Sequence, residues 1–208
     1  MKYLLATIAI IQCLHGKSQG YWEAKNYETV TVNNFRGYTA FKYPIDTGKI
    51  DYALLNACLF YVVNEQRVKN SLPVIPRHIA LETAAFFHSK EMAQRSFYDH
   101  LNNKDLSRET DDKRGKLAGM KNPTIAECIY EQPYEDDLTY LALCEGFIAG
   151  WMTSKGHHDI IVSRDNISFG AGVFFKANSY FCFRGTLDFQ WFEAIQYDPK
   201  SAIDKLPY

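Results

Sequence analysis

Apolar side chains recur at helical spacing in three stretches of the chain. The first stretch runs from Asp51 to about Lys69, the second from about Pro76 to Arg95, and the third from Leu138 to Thr153. Apolar residues three or four positions apart share one face of a helix, so each stretch predicts an amphipathic helix. The third stretch carries two apolar stripes, and we therefore expect that helix to be covered on more than one side.

Shorter apolar runs predict strands. The run from Thr124 to Tyr130 is typical of a short buried strand, whereas Asn166–Phe175 and Ser179–Phe189 predict a hairpin that turns at residues 176–178. Helices and antiparallel strands are mixed in this order, and no repeat or long linker separates them. The sequence therefore predicts one α+β domain.

Two flanking segments have weaker patterns. Residues 21–50 show little periodicity and predict an extended lead-in segment with an edge strand around Thr29–Val32. Residues 193–208 predict an irregular C-terminal tail. The folded domain is thus expected to occupy residues 51–192.

The first 20 residues have the layout of a secretory signal peptide. Lys2 precedes an apolar run that ends at Leu14, and a small and polar stretch leads to Gly20. The run is too short to span a bilayer, which takes about 20 apolar residues. Cys13 offers an alternative, lipid attachment of an envelope protein, but the residue before it is Gln12 rather than a small one. We expect a secreted or periplasmic protein.

The net charge limits the classes of binding partner, and the cysteine content limits the kinds of covalent and metal cross-link. The 208-residue chain has a formal net charge of -1 with scattered basic residues, which argues against a nucleic-acid partner. Without the leader, four cysteines remain, and either disulfides or buried thiols fit them. The absence of a CxxC pair disfavours a structural zinc site. These cysteines are Cys58, Cys128, Cys144 and Cys182.

The histidines differ in their claim to a functional role. His15 lies in the leader, His88 lies on an apolar helix stripe, where a hydrogen-bonded core histidine is the usual case, and His78 is expected to be an exposed first-turn residue. His100 and His157 follow predicted helix ends. Functional sites are often built from such loop positions, so these two are the candidates.

Glu127 interrupts the apolar run from Ile125 to Ile129. A buried carboxylate costs several kcal/mol unless it is paired or hydrogen-bonded. Strand alternation places Glu127 on the side of its isoleucine neighbours and Cys128 on the other side. Its partner is predicted to be either an imidazole or, in a purely structural salt bridge, an arginine.

The order of several short motifs resembles a known family. In chain order they are Asn64-x-x-Arg67, Phe97-x-x-His100, Arg114 with Gly119, Ala126-Glu127, Trp151-x-x-Ser154-x-Gly156-His157 and Phe169-Gly170-Ala171-Gly172-Val173. This succession resembles the CAP superfamily of cysteine-rich secretory, antigen 5 and pathogenesis-related proteins, whose domain is also called the SCP domain, and in particular its short bacterial members. The resemblance covers roughly residues 51–190.

The resemblance implies a three-layer α-β-α sandwich with a small antiparallel sheet and a cleft lined by two histidines and two acidic residues. His100, Glu127 and His157 match three of these four residues, while Ser154 stands where the family has its second acid. Glu145 does not replace that acid, because at about 100° per residue it lies on the opposite side of the helix.

Two imidazoles and a carboxylate suit a divalent metal such as zinc. The leading hypothesis is a CAP-domain protein that binds a lipid, peptide or cell-wall glycan, with His100, Glu127, His157 and Ser154 at the ligand and the first three as metal ligands. A metal-dependent hydrolase and an adhesion domain with a vestigial site are the alternatives. No activated Ser or Cys nucleophile and no HExxH motif supports catalysis. The sequence does not indicate an oligomeric state.

Overall fold

The computed structural model describes residues 22–177 and 180–208. The predicted signal peptide and Cys13 therefore lie outside the described residues. Within them the chain forms five helices and three strands: α1 (Tyr52–Lys69), α2 (Ile79–Gln94), α3 (Asp111–Leu117), β1 (Ile125–Pro133), α4 (Tyr140–Thr153), α5 (Lys155–Ile161), β2 (Asn166–Lys176) and β3 (Cys182–Trp191).

The strands form one antiparallel sheet in the order β1-β3-β2, which confirms the predicted hairpin. In its register Glu127 of β1 and Gly170 of β2 both lie opposite Asp188 of β3. Since β3 is the central strand, β1 and β2 are the two edges of the sheet.

Helices cover both faces of the sheet. On one face, fully buried side chains such as Leu187, Phe189 and Val173 join α1 and α4 in the main hydrophobic core. On the other face α2 packs against β2 and β3, where Ser89 donates a hydrogen bond of 2.9 Å to the carbonyl oxygen of Gly172. The expected α+β, three-layer α-β-α sandwich is confirmed.

Two glycines of β2 allow α2 to lie directly on the sheet. A Cβ atom at Gly170 would come within 1.9 Å of the Glu82 nitrogen, and one at Gly172 within 2.1 Å of the Phe86 nitrogen. Any larger residue would collide with the helix backbone, so these positions require glycine.

Helix α2 begins later than predicted. The backbone of Phe169 in β2 bonds to Pro76 and His78, and this pairing keeps residues 76–78 extended. His78 is not an exposed first-turn residue: it is half-buried, and its Nδ1 accepts a hydrogen bond from the Ala80 nitrogen as the N-cap of α2. Tertiary pairing thus overrides the local signal of Pro76.

The lead-in segment contains no strand at Thr29–Val32, so that prediction was wrong. It instead forms short 3₁₀ turns, including Ala24–Glu28 and Phe35–Gly37. Its aromatic side chains pack on α1, with the rings of Phe35 and Tyr61 stacked 5.7 Å apart. Burial of these rings, rather than strand pairing, holds the segment in place.

The tail after β3 is irregular and packs against the domain. Arg108 forms an ion pair with Asp204, and the Tyr208 hydroxyl lies 3.0 Å from Oε1 of Glu82, to which it donates a hydrogen bond. The four described cysteines are buried thiols without a disulfide. Across residues 22–177 and 180–208, no helix has the length and apolarity that a bilayer span needs.

Candidate functional site

Glu127 lies at the centre of a buried charged cluster on the edge strand β1. Its side chain is 3% exposed. Oε1 accepts a hydrogen bond of 2.7 Å from Nδ1 of His100, and Oε2 accepts one of 2.5 Å from Nη2 of Arg114. Both predicted kinds of partner are therefore present, with an imidazole on one oxygen and an arginine on the other.

His100 is the solvent-facing member of this cluster. It follows α2 in a loop, as expected, and its side chain is 50% exposed. The hydrogen bond to Glu127 raises the pKa of His100 above its usual value despite partial burial. Because Nδ1 is bound to Glu127, Nε2 is the nitrogen left for a ligand.

The charged run Asp111-Asp112-Lys113-Arg114 predicts a solvated surface from its sequence, but for Arg114 that prediction is wrong. It lies on the short helix α3 and is 1% exposed. Besides Glu127, it donates to the carbonyl oxygens of His100, at 3.2 Å, and Arg108, at 3.0 Å. Arg114 thus fixes both the carboxylate and the backbone that carries His100.

His88 is a core histidine, as predicted, but it also belongs to the cluster. It is fully buried, and Nε2 donates to the carbonyl oxygen of Asp99 at 3.1 Å while lying 3.7 Å from Oε1 of Glu127. Burial lowers the pKa of His88 to about 4, so the ring is neutral near pH 7. Burial would raise the pKa of Glu127, yet its neighbours lower it; with His88 neutral, Arg114 and His100 are the cations that keep it ionised.

Asp188 is a second buried acid, directly opposite Glu127 on β3. It is 0% exposed, and its carboxyl oxygens have no hydrogen-bond partner among the residues described. Burial, and after it the negative charge of Glu127, raises the pKa of Asp188 well above its usual value. Of these two neighbouring acids, Glu127 has the lowered pKa and Asp188 the raised one, so a proton is held by Asp188 in preference to Glu127.

His157 approaches the same edge of the sheet from the other side. It lies inside helix α5 rather than in the predicted loop, and its carbonyl oxygen is 4.0 Å from Sγ of Cys128. Burial and then the charge of His100 lower the pKa of His157. Its Nδ1 is buried and has no partner in the described part of the chain.

Two solved structures resemble this chain in their backbone. An extracellular protein containing a SCP domain from Bacillus anthracis str. Ames superposes with a TM-score of 0.54 and 20% identity, over 71% of this chain and 44% of that protein. An outer surface protein of Borrelia burgdorferi superposes with a TM-score of 0.52 and 16% identity, over 69% of this chain and 97% of that one. The chain has the CAP fold.

The likeness lies in the structure rather than in the sequence. No protein-family model matches this chain, and no curated protein matches it with significance. The superposition spans less than half of the Bacillus anthracis protein. The CAP fold is therefore established here by architecture, and the roles of individual residues rest on their own geometry.

Ser154 is the position where the CAP resemblance expects a second acid. It joins α4 to α5, and its side chain does not cap α5. Glu145 faces elsewhere, as predicted, since its Oε1 lies 2.8 Å from Nη1 of Arg36 in the lead-in segment. The candidate site of this CAP-fold domain thus contains one ionised acid, Glu127.

The cluster does not offer the predicted set of three direct metal ligands. Both Glu127 oxygens are occupied, and among the described residues no three His, Cys, Asp or Glu side chains are arranged to hold a metal ion. The contact of Glu127 with Nδ1 instead resembles the carboxylate that orients a metal-binding imidazole from behind. Of the three predicted metal ligands, this leaves the imidazoles of His100 and His157 as groups that could contact a metal directly.

The sequence pattern indicated His100, Glu127 and His157 as candidates, but it did not indicate the buried groups that surround Glu127. Arg114 belongs to the ordered motifs, yet the acidic and basic residues beside it indicated a solvated face. Asp188 lies in an alternating strand pattern that is typical of an exposed polar side. Only their burial reveals these two residues as part of the site.

Proposed function

We propose that this chain is an exported CAP-domain protein, secreted or held in the cell envelope, that binds its ligand at the β1 edge of the sheet through His100 and His157. The contact between Nδ1 of His100 and Oε1 of Glu127 carries this proposal. It joins a half-exposed imidazole to a fully buried carboxylate, an arrangement that presents an oriented, polarised donor to solvent. The similar proteins named above are extracellular or outer-surface proteins, which agrees with the leader-like first 20 residues.

The two imidazoles favour a ligand with an acceptor oxygen, preferably a carboxylate. Glu127 favours the protonated form of His100, whereas burial favours the neutral form of His157. A cationic donor beside a neutral imidazole suits the carboxylate of a lipid, a peptide terminus or an acidic cell-wall sugar. Binding rather than turnover is proposed, because no nucleophile lies beside a base in this cluster.

In this proposal a divalent metal such as zinc would be coordinated by the protein only through the imidazoles of His100 and His157. With Glu127 behind His100, a metal held by these rings would need further ligands from solvent or from the bound molecule. Zinc is therefore one arm of the test.

The test is calorimetric titration of the full chain with four probes: palmitate, a dipeptide with a free C-terminal carboxylate, a muramic-acid disaccharide and zinc chloride. We expect one carboxylate probe to bind and the His100→Ala/His157→Ala variant to lose that binding. His158→Ala is the matched control, since His158 is the exposed neighbour that contacts Asp159. Its affinities should equal those of the wild type.

The pH dependence of binding sharpens the test. Because the pKa of His100 is raised, affinity for a carboxylate should be full below the pKa of His100 in the folded protein and should fall as the pH rises through it. Absence of binding to every probe would favour an adhesion domain with a vestigial site. Hydrolysis of a peptide or ester that requires zinc and Glu127 would favour the hydrolase instead.

A further inference from the structure

A cavity of about 720 Å³ is lined by none of the residues of the candidate site. Its walls come from the lead-in segment, from Phe60, Tyr61 and Asn64 of α1, and from the loop that ends at Arg77. Phe60 stacks on Phe169 of the edge strand β2 at 5.0 Å. Glu127 is on the other edge strand, β1, so this cavity is separate from the candidate site.

The walls of the cavity are held in place before any ligand arrives. Asn64 accepts a hydrogen bond of 2.9 Å from the Ile75 nitrogen and donates one of 3.1 Å to the Ile75 oxygen. The Tyr61 hydroxyl donates to the carbonyl oxygen of Val30 at 2.9 Å, which ties the lead-in segment to α1. A cavity of this volume with such fixed walls is typical of a small-molecule site. The same bonds occupy the polar atoms of Asn64 and Tyr61.

Aromatic rings form one wall. The ring centroids of Tyr27 and Phe60 are 5.8 Å apart, those of Tyr27 and Tyr61 are 6.1 Å apart, and those of Phe60 and Tyr61 are 5.2 Å apart. Aliphatic side chains, among them Val30, Val32 and Ile75, add to the apolar lining, and Val74, which also lines the cavity, is 51% exposed. An aromatic ligand could add to this group of rings by edge or face contact.

Arg77 supplies the charged group of the cavity. Its guanidinium lies 4.7 Å from the centre of the Tyr27 ring, and Nε donates to the buried carboxylate of Glu82. The side chain remains 23% exposed, and the hydrogen bond seen for it among the described residues is that of Nε, while the two Nη atoms make none. Arg77 also borders a smaller pocket that Glu82 and Tyr208 line. Glu82 also accepts a hydrogen bond from Tyr208, so its charge is shared between two donors. The Nη atoms are left for a ligand.

We propose that this cavity binds a small aromatic anion, such as an aromatic carboxylate or sulfonate. Its rings contact Tyr27 and Phe60, and its anionic group accepts hydrogen bonds from the Nη atoms of Arg77. Charge-assisted bonds to a guanidinium are short and directional, so Arg77 determines which end of the ligand lies at the mouth. This second site is independent of the function proposed for His100.

A pair of fluorescent probes tests the proposal on the full chain. Anilinonaphthalene sulfonate carries the anionic group, whereas phenylnaphthylamine has the same aromatic framework without it. We expect the sulfonate to bind once per chain and naphthoate to displace it. Arg77→Lys should weaken the sulfonate at least about tenfold and the neutral probe less than about threefold, because lysine retains the charge but not the planar pair of donors.

Two further variants serve as positive and matched controls. Val74→Trp fills part of the cavity and should abolish binding of both probes, while His100→Ala should change neither. Arg95→Lys is the matched control, since Arg95 also pairs with a glutamate of α2 but lies away from the cavity. Sulfonate binding that survives Val74→Trp would overturn the proposal. Equal losses of both probes in Arg77→Lys, or displacement by palmitate and not by naphthoate, would also overturn it.

Discussion

The two faces of the sheet have opposite chemistry, although both are buried. Residues 182–190 of the central strand β3 are buried throughout. Alternate positions such as Leu187 and Phe189 pack into the apolar core beneath α1 and α4. The intervening positions, Thr186 and Asp188, face α2 and the charged cluster. An alternating strand usually has its polar side in water, but here a helix covers that side.

The comparison shows how polar side chains can be buried without a large loss of stability and how they can position a site. Unpaired polar groups cost free energy when they leave water, so they need partners or a neutral form. Thr186 lies 2.8 Å from the hydroxyl of Ser89, Glu127 is bound by Arg114 and His100, and burial raises the pKa of Asp188, which favours its neutral form. The apolar face stabilises the fold through packing, whereas the polar face positions the candidate site.

The largest expected loss of stability comes from comparing one glycine on each face of the sheet, because helices approach the two faces at different distances. Gly172→Ala would place a Cβ atom 2.1 Å from the backbone of α2, which cannot move without displacing the whole helix. A Cβ atom from Gly185→Ala on the apolar face would first meet the ring of Phe147, at 2.4 Å, and a side-chain ring can shift more readily than a helix backbone. We expect a loss of more than about 4 kcal/mol for Gly172→Ala and about 1 to 3 kcal/mol for Gly185→Ala, measured by urea unfolding. Equal losses would contradict the close approach of α2.

A second prediction concerns the ion pair on the polar face. Arg114→Met leaves the Glu127 charge buried without its main partner and should lower the free energy of unfolding by about 3 to 5 kcal/mol. Adding Glu127→Gln should recover part of that loss. Arg36→Met is the control: Arg36 is 44% exposed and pairs with Glu65 and Glu145, so its loss should stay below about 1 kcal/mol. Purely additive losses for Arg114 and Glu127 would refute the coupling.

The third prediction concerns Asp188, where the expected effect is smallest near pH 4 and grows as the pH rises. Its raised pKa means that the folded protein keeps a proton which the unfolded chain releases above about pH 4. Wild-type stability should therefore fall relative to Asp188→Asn as the pH rises above about 4, by at most about 1.4 kcal/mol for each pH unit. The lowered pKa of Glu127 acts below that range and is present in both proteins. A difference independent of pH would show that Asp188 is ionised in the fold.

The spacing of apolar residues along the chain predicted those helices and strands that bury one of their faces. Helix α1, strand β1 and the β2–β3 hairpin lie close to their predicted positions, because their apolar spacing matches the period of the backbone. The start of α2 and the lead-in segment were misjudged. In both places distant groups decide the conformation, namely Phe169 for residues 76–78 and α1 for the aromatic lead-in residues.

The candidate site, too, was predicted only where a local pattern marked its residues. Its members His100 and Glu127 stood out because one follows a helix and the other is a charge in an apolar strand. Arg114 and Asp188 did not stand out, since nothing local distinguishes a buried arginine in a charged run from a solvated one. The contacts that define their role join residues 13 positions apart in one case and opposing strands in the other.

Taken alone, the amino-acid sequence determined the class of fold, the order of its three long helices and three strands and the residue types available for chemistry, because these follow from backbone periodicity and composition. The tertiary structure decided which polar side chains lose their water, which of two neighbouring acids keeps its charge, and that an aromatic cavity forms at the far edge of the sheet. Those outcomes depend on desolvation and on groups distant in the chain, and both arise only when the layers pack together.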